Sequence, residues 1–289
     1  MTVVGAPEVT AGGLDPVDID LVGAARSRVR LSRIGPPLGL FAAVIGVWEL
    51  ISALLAPGRK FLLPPPQSVL TRGLIASDAY TQILPSFLRT AELALVGLLI
   101  AMVLGMATAA TLYRFHALER AAFPYLVAIQ AVPVLAIAPL MAVAFGYSEL
   151  AKGIIVVIIA FFPITTNFLL GLRSVDRGLD DLFALSGASW TTRFRKLAFP
   201  HSLPQLLTGF RISAGLAVIG SIVGEEFFQY GSPGLGMRIL QYIDTVEYNR
   251  LYGCIILSSL LGISFYLLFN WLSRRLLRSW HESAQADRR

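Results

Sequence analysis

Asp176, Asp180 and Asp181 stand close together in one polar stretch. Carboxylates grouped in this way can hold a magnesium ion against a diphosphate, the chemistry of a membrane-embedded transferase. Such a site also needs a second acidic cluster to face the first. The sequence has none, and a bare acidic group is more often a solvated surface. The other reactive side chains are no better placed. His116, His201 and His281 lie far apart, and no H-E-x-x-H pairs two of them, which argues against zinc. Lys60, Lys152 and Lys196 are the only lysines and none follows a glycine, so G-x-x-x-x-G-K-[ST] is absent. G-x-S-x-G is absent too. Cys254 is the single cysteine, which excludes an intrachain disulfide and a cysteine metal cage. No catalytic residue, metal site or cofactor is therefore expected in this chain.

What stands out instead is Asp180 to Arg211, a polar and basic stretch between two long apolar runs. It holds Gly187, a basic cluster at Arg193, Arg195 and Lys196, then Pro200 and Pro204 before apolar sequence resumes. A segment this polar cannot lie against lipid. It is expected to form a cytoplasmic loop, about 176–204, with short helices of its own and a docking role. The chain around it is 55% hydrophobic and 15% charged, with a mean hydropathy of +0.68. Its apolar runs approach the ~20 residues that span a bilayer. The composition thus points to a polytopic helical membrane protein. The net charge of +6 reflects Lys and Arg gathered in cytoplasmic loops, not nucleic acid.

In chain order, residues 1–35 are expected to be a flexible cytoplasmic tail, ending in Arg26, Arg28, Arg30 and Arg33. The first apolar run follows late and is too long for a cleaved signal. A first span runs from about Pro37 to Leu55. Pro64, Pro65 and Pro66 then precede a short interfacial helix over Gln67 to Ala76. The second span, Phe87 to Leu112, carries an Arg89–Glu92 pair and two small residues, Gly97 and Gly105, for close helix approach. The third, Ala121 to Phe145, holds Pro124, Gln130, Pro133 and Pro139, the pattern of a kinked helix that lines a cavity. The fourth is Leu150 to Leu172, with Pro163 and Asn167. The fifth is Leu206 to Val223, with Arg211 snorkelling to the cytoplasm and Glu225 and Glu226 at its far end. The glycine-rich run Phe227 to Ile239 is expected to be irregular. The sixth is Leu251 to Leu272, closed by Arg274, Arg275 and Arg278.

Arginines crowd one set of loops (Arg114, Arg120, Arg173, Arg177, Arg193 and Arg195, beside those that flank the first and last spans) and thin out in the other (Arg59, Arg72, Arg238, Arg250). By the positive-inside rule both termini and the polar loop are cytoplasmic. The expected fold is all-α, with six transmembrane helices over residues 36–278 and a cytoplasmic tail at 279–289. A proton-coupled carrier would need an ionisable pair at the midplane and a visible inverted repeat, and neither is present.

The polar loop resembles the EAA loop of the inner-membrane permease subunits of ABC importers. That pattern is E-A-A, three residues, Gly, nine residues, an aliphatic, one residue, then Leu-Pro. Asp181, Leu182 and Phe183 stand at the E-A-A positions, Gly187 at the glycine, Leu197 at the aliphatic, and Phe199-Pro200 at the Leu-Pro. The spacing matches, whereas Asp for Glu and two larger residues for the alanines depart from it. Further shared runs are Trp48-Glu49, Leu63-Pro64-Pro65-Pro66, Ser86-Phe87-Leu88-Arg89, Ala138-Pro139-Leu140, Phe161-Phe162-Pro163, Gly209-Phe210-Arg211 and Gly234-Leu235-Gly236. They are most similar to the nitrate/sulfonate/taurine/bicarbonate branch, which includes permeases for thiamine-precursor pyrimidines.

The resemblance implies the type I ABC importer permease architecture in a bacterial cytoplasmic (inner) membrane. It implies a second permease copy, as a homodimer or with a paralogue. It implies two copies of an ABC ATPase subunit that bind ATP and magnesium, and an extracytoplasmic substrate-binding protein. The solute would be small and anionic, such as a sulfonate, taurine or nitrate; bicarbonate, an aromatic carboxylate or a pyrimidine also fits. The ATPase-coupling loop would use Asp181, Gly187, Ala188, Trp190, Phe194, Arg195, Leu197 and Pro200. Ala188, Trp190 and Phe194 would seat in the ATPase, with Arg193, Arg195 and Lys196 at the rim. Gln130, Pro133, Asn167, Ser213 and Ser221 would line the translocation pathway, or else serve as interhelical glue. Glu225 or Glu226 would form an external gate or meet the binding protein; which one matches the family glutamate stays open.

Overall fold

Long apolar runs become long helices because hydrocarbon leaves the backbone no other hydrogen-bonding partner. A computed structural model describes residues 16–277, with backbone alone at 16–34, 78, 79 and 129. The expected C-terminal tail, Arg278 and residues 1–15 lie outside the described residues. Among the described residues there is no strand, and five helices are long and apolar enough to cross a membrane.

The first unit ends at Pro66. Its helix α1 (Pro16–Leu54) begins inside the segment expected to be tail. A 3-10 turn over Pro57–Arg59 lets the chain double back. Trp48 Nε1 donates to the Pro64 carbonyl at 3.0 Å, and Ser52 Oγ to that of Leu63 at 2.8 Å.

The second unit starts at Gln67. The single turn α2 (Pro66–Ser68) leads into a π-helical segment, Val69–Ile75, so the short helix expected over Gln67 to Ala76 is present with a widened backbone. Ser68 Oγ donates to Asn249 Oδ1 at 2.8 Å. The long helices follow: α3 (Ser77–Arg114), α4 (His116–Ala131), α5 (Val134–Phe145) and α6 (Glu149–Arg173). Two short helices, α7 (Arg177–Leu185) and α8 (Trp190–Arg193), precede α9 (Phe199–Phe227), α10 (Leu235–Asp244) and α11 (Tyr248–Leu277).

The core is the α3–α6–α9 seam, with Leu98, Val156, Ile164, Phe168 and Leu206 among its buried residues. In lipid, contact between helices rests on close van der Waals fit, so bare glycine faces decide which helices meet. Gly97 and Gly105 play this part as expected. A Cβ on Gly97 would collide with Val156, and one on Gly105 would stand 2.9 Å from Ile164. Gly209 and Gly220 do the same on α9, at 2.9 Å from the Pro163 carbonyl and 3.0 Å from Val156 Cα.

Three expectations are corrected. The segment Ala121 to Phe145 is not one kinked helix: it breaks between α4 and α5 at Val132 and Pro133. Pro124 and Pro139 are absorbed within helices, but Pro133 is flanked by two β-branched residues that also resist the helical backbone. The span expected at Leu206 to Val223 is the far part of one helical stretch, Trp190–Phe227, of 38 residues. Finally, the glycine-rich run is helical from Leu235. A Cβ on Gly236 would collide with the Ile222 carbonyl, so this glycine serves close approach, not a loop.

Candidate coupling loop and translocation path

The polar loop is built by capping. Asp176 Oδ1 accepts the Leu179 N–H at 3.2 Å and starts α7. At the other end Gly187 adopts φ +73°, the left-handed backbone that favours glycine. Its N–H donates to the Ala184 carbonyl, and the Ala188 N–H to that of Phe183, both at 3.0 Å. This is a Schellman ending, which closes a helix and turns the chain. Ser189 Oγ then accepts the Thr192 N–H at 3.3 Å and starts α8.

An ion pair braces the turn. Arg193 Nε donates to Asp180 Oδ1 at 2.9 Å, and Arg193 Nη2 meets Asp180 Oδ2. Arg193 is therefore a strut between α7 and α8 instead of a rim charge. Asp176 and Asp180 are engaged in capping and bracing, while Asp181 is exposed. Among the described residues no group of three His, Cys, Asp or Glu is arranged to hold a metal ion.

From α8 the helix continues through a π-type turn, Phe194–Ala198, into α9. The Phe199 N–H reaches back five residues to the Phe194 carbonyl. Widening the helix here makes room for Pro200, which has no N–H to give and whose ring crowds the preceding turn. The loop expected to run to residue 204 thus ends in helix.

The apolar residues of the loop divide into two sets. Phe194 turns inward, with its ring 6.1 Å from Tyr113 and 6.2 Å from Phe199. Trp190 stacks on Phe194 at 5.2 Å, and Arg114 lies 5.2 Å from the indole. Ala188, Leu197 and Pro200 are half-buried, and Arg195 and Lys196 are exposed. The side chains that stand out are Leu182, 62% exposed, and Leu185, 85% exposed. Sequence reading placed Leu182 at an E-A-A position without a docking role and missed Leu185, although their three-residue spacing with Leu179 on an amphipathic segment was legible.

The expected pathway residues separate as well. Gln130 lies in the last turn of α4 and Pro133 in the α4–α5 break. There Gln130 borders a cavity of about 220 Å³ with Leu126, Val134, Phe161, Phe162 and Leu216. Asn167 is elsewhere: its Nδ2 donates to the Pro163 carbonyl of its own helix at 2.8 Å. Ser213 is fully buried and donates across the seam to the Ala160 carbonyl at 2.6 Å. Ser221 is also fully buried and donates to Ala217 of its own helix at 2.9 Å. These three are packing groups in this structure. Arg211 donates to Asn270 Oδ1 and Thr208 Oγ1, each at 3.0 Å.

At the far end of α9 the two glutamates differ. Glu226 is half-buried. Glu225 is 2% exposed, lies against the start of α10 and lines a cavity of about 750 Å³ together with Arg89, Glu92, Glu149 and Lys152. Its carboxylate accepts the Gly236 N–H at 2.8 Å and the Thr90 hydroxyl at 3.0 Å. Thr90 Oγ1 in turn accepts the Leu235 N–H at 2.8 Å. A Cβ on Gly234 would fall on the Glu225 carboxylate. Glu225 is thus the glutamate that engages Gly234-Leu235-Gly236.

Next to it, Lys152 is 1% exposed and bonds the Tyr230 carbonyl at 2.5 Å and Glu149 Oε1 at 3.0 Å. Lys152 and Thr90 were also missed. A lysine inside an apolar run was the available signal, since such residues are rare unless paired.

Comparisons with known proteins agree with this architecture. The family model "Binding-protein-dependent transport system inner membrane component" matches residues 82–278. The formylaminopyrimidine transport permease protein ThiX of Halalkalibacterium halodurans is 34% identical, over 83% of this chain and 94% of the relative. SsuC of Bacillus subtilis, named for aliphatic sulfonates transport, is 28% identical over 90% and 93%. A structure of the MetNI methionine ABC transporter in an inward-facing conformation superposes with a TM-score of 0.57 at 19% identity, covering 71% of this chain and 98% of that one. With its all-helical fold and its apolar spans, the chain belongs to the inner-membrane permease family of binding-protein-dependent ABC importers.

Proposed function

We propose that this chain forms the translocation path of an ABC importer for a small solute. The solute is handed over by an extracytoplasmic binding protein, and transport is driven by a separate ATPase. The observation that carries the reading is the braced α7–Gly187–α8 turn. It presents Leu182 and Leu185 outward and continues without a break into α9.

The mechanism follows from that continuity. The helical stretch from Trp190 to Phe227 has 38 residues, about 57 Å at 1.5 Å per residue. A pull on α8 is therefore delivered along α9 to Glu225 and the α10 junction. ATP-driven closure of two ATPase subunits would draw two such loops together and tilt two copies of α9. A path between two permease copies would then change the side on which it opens. In this scheme α4 and α5 cross the membrane jointly as the third of six crossings, and the termini and the α7–α8 loop are cytoplasmic. The ATP site lies in the partner, so the chain itself is a transport subunit and not an enzyme. A transferase reading gains nothing from Asp176 and Asp180, which already cap and brace.

The relatives' names span a pyrimidine and sulfonates. The expected anion, a sulfonate, taurine or nitrate, would need a counter-charge along the path, whereas a pyrimidine would not.

The test is co-purification in mild detergent. The wild-type chain is expected to bring down an ATPase carrying G-x-x-x-x-G-K-[ST]. The Leu182→Glu/Leu185→Glu variant should lose it while its buried Cys254 thiol stays protected. A wild-type chain that emerges alone, or a variant that keeps the ATPase, refutes the reading.

A further inference from the structure

We infer that the groove between α3 and α6 binds a phosphatidylethanolamine of the surrounding bilayer, with its ammonium group at the charged end and acyl chain along the apolar trough. This lipid site lies beyond the transport reading and does not depend on it.

The groove is divided along its length. It is the cavity of about 750 Å³ that Glu225 borders, and its charged residues gather at that end: Arg89 and Glu92 from α3, Glu149 and Lys152 from α6. Beyond them no Asp, Glu, Lys, Arg or His occurs from residue 93 to 112 or from 153 to 172. The α3 wall there is Leu93, Val96, Ile100 and Leu104, the spacing of one helix face. From Leu93 to Leu104 the helix rises about 16.5 Å at 1.5 Å per residue. That is close to the depth of one leaflet's hydrocarbon, half of a ~30 Å core. A polar head above an apolar trough one leaflet deep is the outline of a lipid, and a polar solute would strand its hydrogen-bonding groups along most of that length.

The charge at the mouth selects the headgroup. Lys152 is spent on the Tyr230 carbonyl and Glu149 Oε1, and Glu225 on the Gly236 N–H and the Thr90 hydroxyl. Arg89 and Glu92 pair at 3.1 Å, yet their side chains stay 58% and 64% exposed, and that of Glu149 stays 60% exposed. The open groups are thus one cation and two carboxylates, with a carboxylate on each helix. They complement a headgroup that carries one phosphate and one primary ammonium. The phosphate meets Arg89, and the ammonium brings three donors to Glu92 and Glu149. A choline headgroup has the positive charge but no N–H to donate. A glycerol headgroup adds an anion to a mouth already acidic.

The trough is open because glycines line it. Gly97 lets α3 and α6 meet at its floor, since a Cβ there would collide with Val156. Gly153 lines the α6 side, and a Cβ there would meet nothing within 4 Å.

The test uses the full chain in mild detergent with whatever partners co-purify. It is incubated with equal amounts of phosphatidylethanolamine, phosphatidylcholine and phosphatidylglycerol bearing identical acyl chains, then repurified, and the retained lipid is counted by mass spectrometry. Phosphatidylethanolamine is expected in about tenfold preference over phosphatidylglycerol, the usual effect of one well-placed contact to a charged group. The Glu92→Gln/Glu149→Gln variant should bring the three lipids within about twofold of one another. Gly153→Leu puts a side chain into the open trough and replaces glycine with a better helix former. It should lose the bound lipid while the Cys254 thiol stays masked. Four results overturn the assignment: phosphatidylglycerol retained as well as phosphatidylethanolamine, no lipid retained by the wild type, an unchanged preference in the glutamine variant, or unchanged retention in Gly153→Leu. A lipid-free wild-type dimer that Gly153→Leu turns into a monomer would give the groove to a second copy of the chain instead. If Gly153→Leu unmasks Cys254, the headgroup preference and its loss in the glutamine variant decide alone.

Discussion

Thr90→Val is the sharpest perturbation of the Glu225 junction, because valine matches threonine in shape and removes only the hydroxyl. That hydroxyl accepts the Leu235 N–H at 2.8 Å, and its one proton faces the Glu225 carboxylate at 3.0 Å and the Ser86 carbonyl at 3.1 Å. Thr90 is fully buried, so water cannot replace it. Losing a hydrogen bond to a charged group costs about 1.5–3 kcal/mol, and stranding a buried N–H roughly 1–3 kcal/mol more. The sum is about 4 kcal/mol. For a chain of this size that lowers Tm by roughly 8–16 °C. Thr90→Ser keeps the hydroxyl and loses one methyl, which costs about 1 kcal/mol. The assay is built into the sequence: Cys254 is the sole cysteine and is fully buried, so a thiol-reactive dye reports unfolding directly. A heating scan of the three proteins in the same detergent should place the serine variant near the wild type and the valine variant far below. If the valine and serine variants melt within about 2 °C of each other, the junction is not held by this hydroxyl.

Two further substitutions separate the ends of the molecule. Gly187→Glu forces a side chain into the left-handed backbone at a cost of about 1–2 kcal/mol, although its Cβ would meet nothing within 4 Å. Folding should survive and uptake by whole cells should fall; undiminished uptake would mean that the turn does not couple. Lys152→Met preserves length but leaves the Tyr230 carbonyl without its donor. Hydrogen exchange should then quicken about tenfold over residues 228–234 and stay unchanged over α7 and α8, and a uniform change would show that Lys152 supports the whole bundle.

How much of this was legible in the sequence depends on the range of the interaction. Hydropathy marked the long helices, and polarity with the spacing from Gly187 to Pro200 marked the loop, because both are written in neighbouring residues. Gly187 with its flanking helices, the Arg89–Glu92 pair, and the Gly97 and Gly105 faces all came through. The pair is present at 3.1 Å. What failed was anything decided by a residue distant in the chain. Ser213 reads as a pathway hydroxyl until the Ala160 carbonyl is placed opposite it. Glu225 and Glu226 are alike as letters, and only the fold sets the first against Thr90, 135 positions away. Prolines misled in both directions. Pro200 reads as a helix breaker, yet it falls just after a π turn that accommodates it; three prolines in the third span read as kinks, and one of them is a full break. The polar loop and the α4–α5 break then have related origins. In each, the backbone departs from the α-helix next to a proline, and the departure is tolerated because something else completes it: a widened turn at Pro200, a cavity at Pro133. A widened turn keeps the helix continuous and able to carry force. A break ends the helix and leaves a cavity beside it.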